Sequence, residues 1–327
     1  FLQGDHFQFN ASKWAADADG EMSGLKDLTR EAIAAGFYNI DIDSSTLVDL
    51  SQPTVAQQQA VNAANTIELT GLIRELQPDG VVISVGGEIG EVGKSNSTEE
   101  ELRAYLDGYF GVLHGTGTPG VSKVSIQTGT SHGGVPLPDG SVAQVMIDFD
   151  TLRRLSGVAR DEYGLAGCVQ HGASTLPDEA FHHFPANTAA EIHLATGFQN
   201  ILYDEPGLPA ELRAEMMAWC NANCAAERKD DEADPQFLYK TRKKALGPFK
   251  RQLWELPADA QAQIGANLRT KFGLLFDELQ IAGTRSLVDR YVTPPDLPRP
   301  LPAALGGAAG VGITAGGSVF EDDGSGE

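Results

Sequence analysis

The sequence predicts an α/β fold of the (β/α)8 TIM-barrel kind, on three observations. Short runs rich in β-branched and aromatic residues alternate with longer helical patterns, as in a mostly parallel sheet covered by helices. With 327 residues the chain has the length for a barrel, which takes about 250. Each strand-like run also ends at or just before a residue able to bind a metal, move a proton or hold a substrate. In such barrels the C-terminal strand ends form the active-site rim.

The strand-like runs are 1–5, 38–43, 81–86, 123–129, 167–171 and 198–203. Helical patterns occupy 24–35, 55–76, 98–113 and 148–162, with a shorter one over 187–196. There Asn187-Thr188-Ala189-Ala190-Glu191 reads as a polar cap ahead of an acidic first turn. Gly36, Gly164 and Gly197 stand where helices should end before a strand. Six strand–helix units are visible, and the opening Phe1-Leu2-Gln3-Gly4-Asp5-His6 reads as a buried strand already under way. One or two units of an eight-unit barrel are therefore expected ahead of Phe1. Residues 1–206 form the expected barrel core, 207–292 a C-terminal helical extension packed on it, and 293–327 a flexible tail rich in Pro and Gly and then acidic.

Composition is that of a globular chain, 41% hydrophobic and 21% charged. The 24 basic and 45 acidic residues give a formal charge of −21. Such a field repels phosphate backbones and anionic membranes, which argues against nucleic acid and lipid surfaces as partners. No run of about 18 apolar residues is present, so no membrane span is expected. Three cysteines, Cys168, Cys220 and Cys224, make no disulfide framework and suit a reducing cytoplasm. Cys220 and Cys224 read as two helix thiols, since no third metal ligand lies near them in sequence.

The polar strand ends are Asp5-His6, Asp43, Glu88, His132, His171 and Asn200. A lone histidine at a strand end is more often a packed residue than a ligand. Three at one rim, His6, His132 and His171, suggest a catalytic zinc with one position open for water or a substrate carbonyl. His114, His182, His183 and His193 read as structural or solvated, His193 because it falls within the 187–196 helical pattern.

Six motifs in order carry a family resemblance: Gly4-Asp5-His6; Ala35-Gly36-Phe37 through Ile40-Asp41-Ile42-Asp43-Ser44-Ser45; Gly87-Glu88-Ile89-Gly90; Gly129-Thr130-Ser131-His132-Gly133; His171-Gly172-Ala173-Ser174; and Gly197-Phe198-Gln199-Asn200-Ile201-Leu202-Tyr203-Asp204. From Gly4 to about Asp204 the chain resembles class II fructose-bisphosphate aldolases and their relatives for ketose phosphates. The last segment is similar to that family's final strand, G-x-x-K-x-N-x-x-T-D. The resemblance implies that His6, His132 and His171 hold Zn2+ and that Asp43 and Glu88 can hold the metal at a second nearby position. It makes Asp5 the acid/base residue and Asn200 a hydrogen-bonding partner of the substrate. The turns carrying Gly133, Gly172, Ala173 and Ser174 would offer backbone N–H groups to a phosphate, with Tyr203 where the family has Thr.

The implied reaction cleaves or forms fructose 1,6-bisphosphate. Zinc polarises the ketone, the C4 hydroxyl loses its proton, and an enediolate remains once the aldehyde leaves. A homodimer or higher homo-oligomer in the cytoplasm is expected. Departures accompany the resemblance. Gly133-Gly134-Val135-Pro136 lacks the family's Lys, and Lys94-Ser95-Asn96-Ser97 replaces an acidic loop. Lys94, Lys240, Arg242, Lys243 and Lys244 offer themselves as substitute anion contacts. The metal residues are thus kept while the phosphate contacts change. This pattern leaves open an aldolase for a different ketose phosphate, or a non-catalytic partner subunit of a sugar-phosphate aldolase.

Overall fold

A computed structural model describes residues 2–90, 95–129, 136–139, 141–143 and 146–294. Six parallel strands form one sheet in chain order: β1 (Leu2–Gln8), β2 (Phe37–Asp43), β3 (Ser84–Gly90), β4 (Lys123–Ile126), β5 (Cys168–Gln170) and β6 (Glu191–Ile192). The principal helices between them are Ala18–Ala34, Ala60–Leu76, Glu99–Leu113 and Phe149–Asp161.

Sequence alternation explains the two faces. In β2, Ile40 and Ile42 are buried in the apolar core between sheet and helices, while Asp41 and Asp43 point to the other side. In β4, Val124 and Ile126 join the same core, and Lys123 and Ser125 take the opposite face. The helix Glu99–Leu113 starts at a capping box of Thr98 and Glu101 and buries Leu102, Tyr105, Leu106 and Tyr109, a single stripe. Tyr105 and Tyr109 donate hydrogen bonds to Thr66 and Thr70 of the helix Ala60–Leu76, at 3.1 and 3.0 Å. A Cβ on Gly87 would stand 2.2 Å from the Tyr105 hydroxyl, so glycine there lets this helix close on β3.

The polar face is concave. Lys123 of β4 reaches Asp41 of β2 at 3.2 Å and Glu191 of β6 at 2.7 Å, and Gln3 of β1 reaches Glu191 at 3.1 Å. Side chains from the first and last strands can meet only if the sheet curls into a half-barrel. Among the described residues the sheet stays open between β1 and β6.

Two expectations change at its end. Residues 187–196, read as a helix, contain β6, and residues 198–203, read as a strand, lie in the helix Thr196–Asp204. Gly197 accordingly does not end a helix; a Cβ there would meet the Ser174 carbonyl oxygen at 2.7 Å, so it permits close packing at the helix start. Beyond this point the described residues are mainly helical, with Ala210–Asn223, Asp234–Thr241, Ala258–Glu278 and Arg285–Tyr291 as the main segments. Tyr203, Met216, Cys220 and Ala245 form a second small core there. All three cysteines are buried and outside any disulfide. The expected tail lies outside the described residues from 295 onward. Among the described residues no helix is long and apolar enough to cross a membrane.

Candidate metal centre and active site

The site begins with a bulge in β1. Gly4 pairs with Ile40 and Phe7 with Ile42, so β1 carries one residue more than β2 across this step. His6 takes a left-handed φ of 51° there. In an unbroken strand Asp5 and His6 would face opposite sides of the sheet. The bulge instead turns both toward the concave face.

Asp5 is the hub of the resulting cluster. Its Oδ1 lies 3.0 Å from His193 Nδ1, 3.8 Å from His171 Nε2 and 3.9 Å from His6 Nε2. The His6 and His171 rings meet edge to face at 4.3 Å, and His193 stacks on His171 at 4.6 Å. Nδ1 of His6 faces Asp43 at 3.2 Å and Glu88 at 3.4 Å. Asp43 is fixed in turn: it accepts from Gln8 Nε2 at 2.6 Å and from the Ser45 hydroxyl at 2.7 Å. Asn62 donates to the Glu88 carbonyl oxygen at 2.8 Å.

Beneath this layer runs a charged one. Nε2 of His193 is 3.1 Å from Glu191, which accepts two contacts from Lys123 at 2.7 and 2.8 Å. Gln3 donates to Asp41 at 2.8 Å. A Cβ on Gly86 would fall 2.3 Å from Asp41 and 3.1 Å from Lys123, so glycine makes room for this crossing.

These contacts set the protonation states. Burial pushes the Asp5 carboxyl up, but the His193, His171 and His6 rings outweigh it and hold Asp5 well below the usual carboxylate range. Burial likewise opposes the charge on Asp43, and His6, Ser45 and Gln8 overcome it to hold that carboxyl low. Burial wins at Asp41, whose carboxyl is raised despite Lys123. Glu191 is buried too, yet contacts with His193 and Lys123 bring it down to about 2. The His193 imidazolium resists burial through Asp5 and Glu191 and is held up at about 9.

Among the described residues, three groupings bring possible ligand atoms within 4.8 Å of one another: Asp5 with His6 and His171, His6 with Asp43 and Glu88, and Asp5 with Asp41 and His193. Imidazole nitrogens with carboxylate oxygens are a donor set that suits zinc. The first two groupings fit a cation. The third has the Lys123 ammonium 3.2 Å from Asp41, which competes with a metal there.

A cavity of about 1140 Å³ opens over this cluster, lined among others by Asp5, His6, His171, Ser174, His193 and Thr196. Gly172 lines it with a positive φ of 69°. Ala173 is buried behind, and the Ser174 hydroxyl accepts from the Ala195 N–H at 2.8 Å. Lys243 and Lys244 reach the same cavity, but Lys94, His132 and Gly133 lie outside the described residues.

Two expected substrate contacts fall elsewhere. Asn200 sits on the helix Thr196–Asp204, donates to the Tyr239 hydroxyl at 3.1 Å and accepts from Arg242 at 2.7 Å. Tyr203, on the same helix, is buried in the second core and donates to the Arg242 carbonyl oxygen at 2.8 Å. Neither lines the cavity. His193, read as structural within a helix, instead directly follows β6 and touches Asp5.

The family model for class-II fructose-bisphosphate aldolase matches residues 5–247. The chain belongs to that family. No curated protein matches it. Among solved structures it is similar to a fructose-bisphosphate aldolase of Campylobacter jejuni, at 14% identity and TM-score 0.44, covering 86% of this chain and 69% of that one. It is also similar to a candidate fructose-1,6-bisphosphate aldolase of Coccidioides immitis, at 15% identity and TM-score 0.43, covering 81% and 70%. A third is the YdjI aldolase of Escherichia coli K12, at 14% identity and TM-score 0.35, covering 72% and 66%. The chain therefore spans just under two thirds of the YdjI aldolase and slightly more of the other two.

Around β6, residues Thr188 to Gly197 have the spacing of the G-x-x-K-x-N-x-x-T-D pattern, with Glu191 at the Lys position, His193 at the Asn position and Thr196 at the Thr position. Thr188 has a φ of 60° where the pattern has Gly, the conformation glycine adopts freely. This spacing was the signal that could have found His193 in the sequence.

Proposed function

We propose that the chain is a zinc-dependent aldolase that cleaves or forms a ketose bisphosphate, with fructose 1,6-bisphosphate as the first substrate to test. The observation that carries this reading is the Asp5 carboxylate between the His6 and His171 rings at the floor of the cavity. His6 and His171 would hold the metal together with His132. Asp43 and Glu88 orient His6 through its Nδ1, and they would hold the metal were it to shift to a second position. When bound, zinc supplies Lewis-acid polarisation of the substrate ketone.

The chain's own residues supply the rest. Asp5, ionised and 40% exposed at its side chain, accepts the proton of the substrate hydroxyl as the carbon–carbon bond breaks, and returns it in the synthetic direction. Ser174, Thr196 and the Gly172 turn would receive one phosphate, and Lys243 with Lys244 the other.

A different ketose phosphate is the second reading, favoured by Glu191 and His193 at the positions where the family pattern carries Lys and Asn. The test is cleavage of fructose 1,6-bisphosphate by the full-length protein before and after EDTA. Activity abolished by EDTA and restored by zinc supports the reading, and Asp5→Asn should then lower kcat by about 100-fold or more. Bound zinc without cleavage redirects the search to other ketose phosphates. Neither metal nor activity would leave a non-catalytic partner subunit.

A further inference from the structure

We propose that His193 is a positioning residue for Asp5, held in place by Glu191 and, through it, by the buried Lys123–Asp41 pair. The proposal rests on the aldolase reading for what Asp5 does, and on geometry for how Asp5 is held.

Asp5 needs such a residue. It lies on the bulge of β1 beside a residue of left-handed φ, and its side chain is 40% exposed. A carboxylate in that setting can rotate between the His6 and His171 rings unless a third group restrains it. Of the three histidines around Asp5, His193 comes closest, its Nδ1 3.0 Å from Oδ1 against 3.8 Å for His171 and 3.9 Å for His6. Nδ1 is buried and, although close to that oxygen, makes no hydrogen bond of good geometry in the free protein. Catalytic hydrogen bonds are commonly misaligned in free enzymes and tighten when substrate binds.

His193 is itself constrained on three sides. Its ring stacks on His171, its Nε2 faces Glu191 at 3.1 Å, and Gln3 closes the gap between Glu191 and Asp41. Lys123, 2% exposed, anchors both of those carboxylates. The imidazole thus links the buried Lys123–Asp41–Glu191 layer to the half-exposed Asp5 carboxylate.

Two substitutions separate positioning from bulk. His193→Asn keeps an N–H near the place of Nδ1, whereas His193→Leu keeps the shape without the donor. In zinc-loaded protein His193→Leu should lower kcat for the ketose bisphosphate by about 10- to 100-fold, with KM and zinc content unchanged. His193→Asn should recover most of that loss. In metal-free protein Asp5→Asn should move the His193 ring N–H resonance, an NMR readout independent of activity. Equal losses in the Leu and Asn variants, loss of zinc along with kcat, or an unmoved resonance would each overturn the proposal. If the wild type cleaves no ketose bisphosphate, the aldolase reading fails, and the resonance alone decides whether His193 restrains Asp5.

Discussion

Lys123 shows how much one residue can hold. Its ammonium is buried between Asp41 and Glu191, and those two in turn hold Gln3 and His193. Removing one partner of a buried ion pair leaves the others uncompensated, which costs about 3–5 kcal/mol. Lys123→Ala should therefore lower stability by about that much, read as the urea midpoint of the metal-free protein. The same interactions predict pH dependence. His193 titrates at about 9 in the fold against an ordinary 6.5, so its contribution is full below 6.5 and is lost as pH rises through about 9. Glu191 is depressed from 4.5 to about 2, so its contribution is present above 4.5 and is lost as pH falls through about 2. The metal-free protein should accordingly have its highest Tm between these limits, with a decline on the alkaline side that His193→Asn reduces. Asp5, His6 and His171 were legible from sequence because each stands beside Gly or Asp at a strand end. The identity of Asp5's closest partner was not, because no local pattern reports what faces a side chain across a curled sheet.

At the scale of elements, the informative error concerns residues 187–203. Ala189, Ala190 and the cap-like Asn187-Thr188 favour a helix locally, and Phe198, Ile201, Leu202 and Tyr203 have strand-like composition. The fold reverses both assignments because β6 must pair with β5 while Tyr203 must reach the second core. Tertiary contacts override propensities that differ by less than about 1 kcal/mol per residue. β6 is reached through Thr188, whose left-handed φ costs roughly 1–3 kcal/mol for a side chain branched at Cβ. Glycine would relieve that strain and lose only about 0.4–1 kcal/mol to unfolded-state entropy. Thr188→Gly should thus stabilise the protein by about 1 kcal/mol, measured by chemical denaturation. The long helices were legible because their stripes are regular; Glu99–Leu113, with its capping box, departs from expectation by a single residue at its start.

For the molecule as a whole, the parallel α/β order could be read directly from the sequence, since it follows from the alternation of strand-like and helical runs. The curl of the sheet could not, because it depends on Gly86 leaving room for Lys123 to span three strands. That curl turns an open sheet into a walled cavity and gathers Asp5, His6, His171 and His193 from β1, β5 and β6. Arg242 does related work behind the cavity: it pairs twice with Asp204 at 2.7 and 2.8 Å, binds Asn200, and lies over the Tyr203 and Tyr239 rings. It ties the helix after β6 to the C-terminal helices, so Arg242→Ala should cost about 3 kcal/mol or more and lower the unfolding midpoint.

The brevity of β6 has a consequence for exchange with solvent. It is joined to β5 at its ends by the Ala190 N–H to the Cys168 carbonyl oxygen and the His193 N–H to that of Gln170. Opening this short ladder needs far less free energy than unfolding the strands buried beneath the helices. The Ala190 and His193 amides should therefore trade deuterium well ahead of Ile40 or Val124. Each such opening carries His193 away from Asp5 while the rest of the sheet stays folded, so the site should fail in denaturant before the chain does.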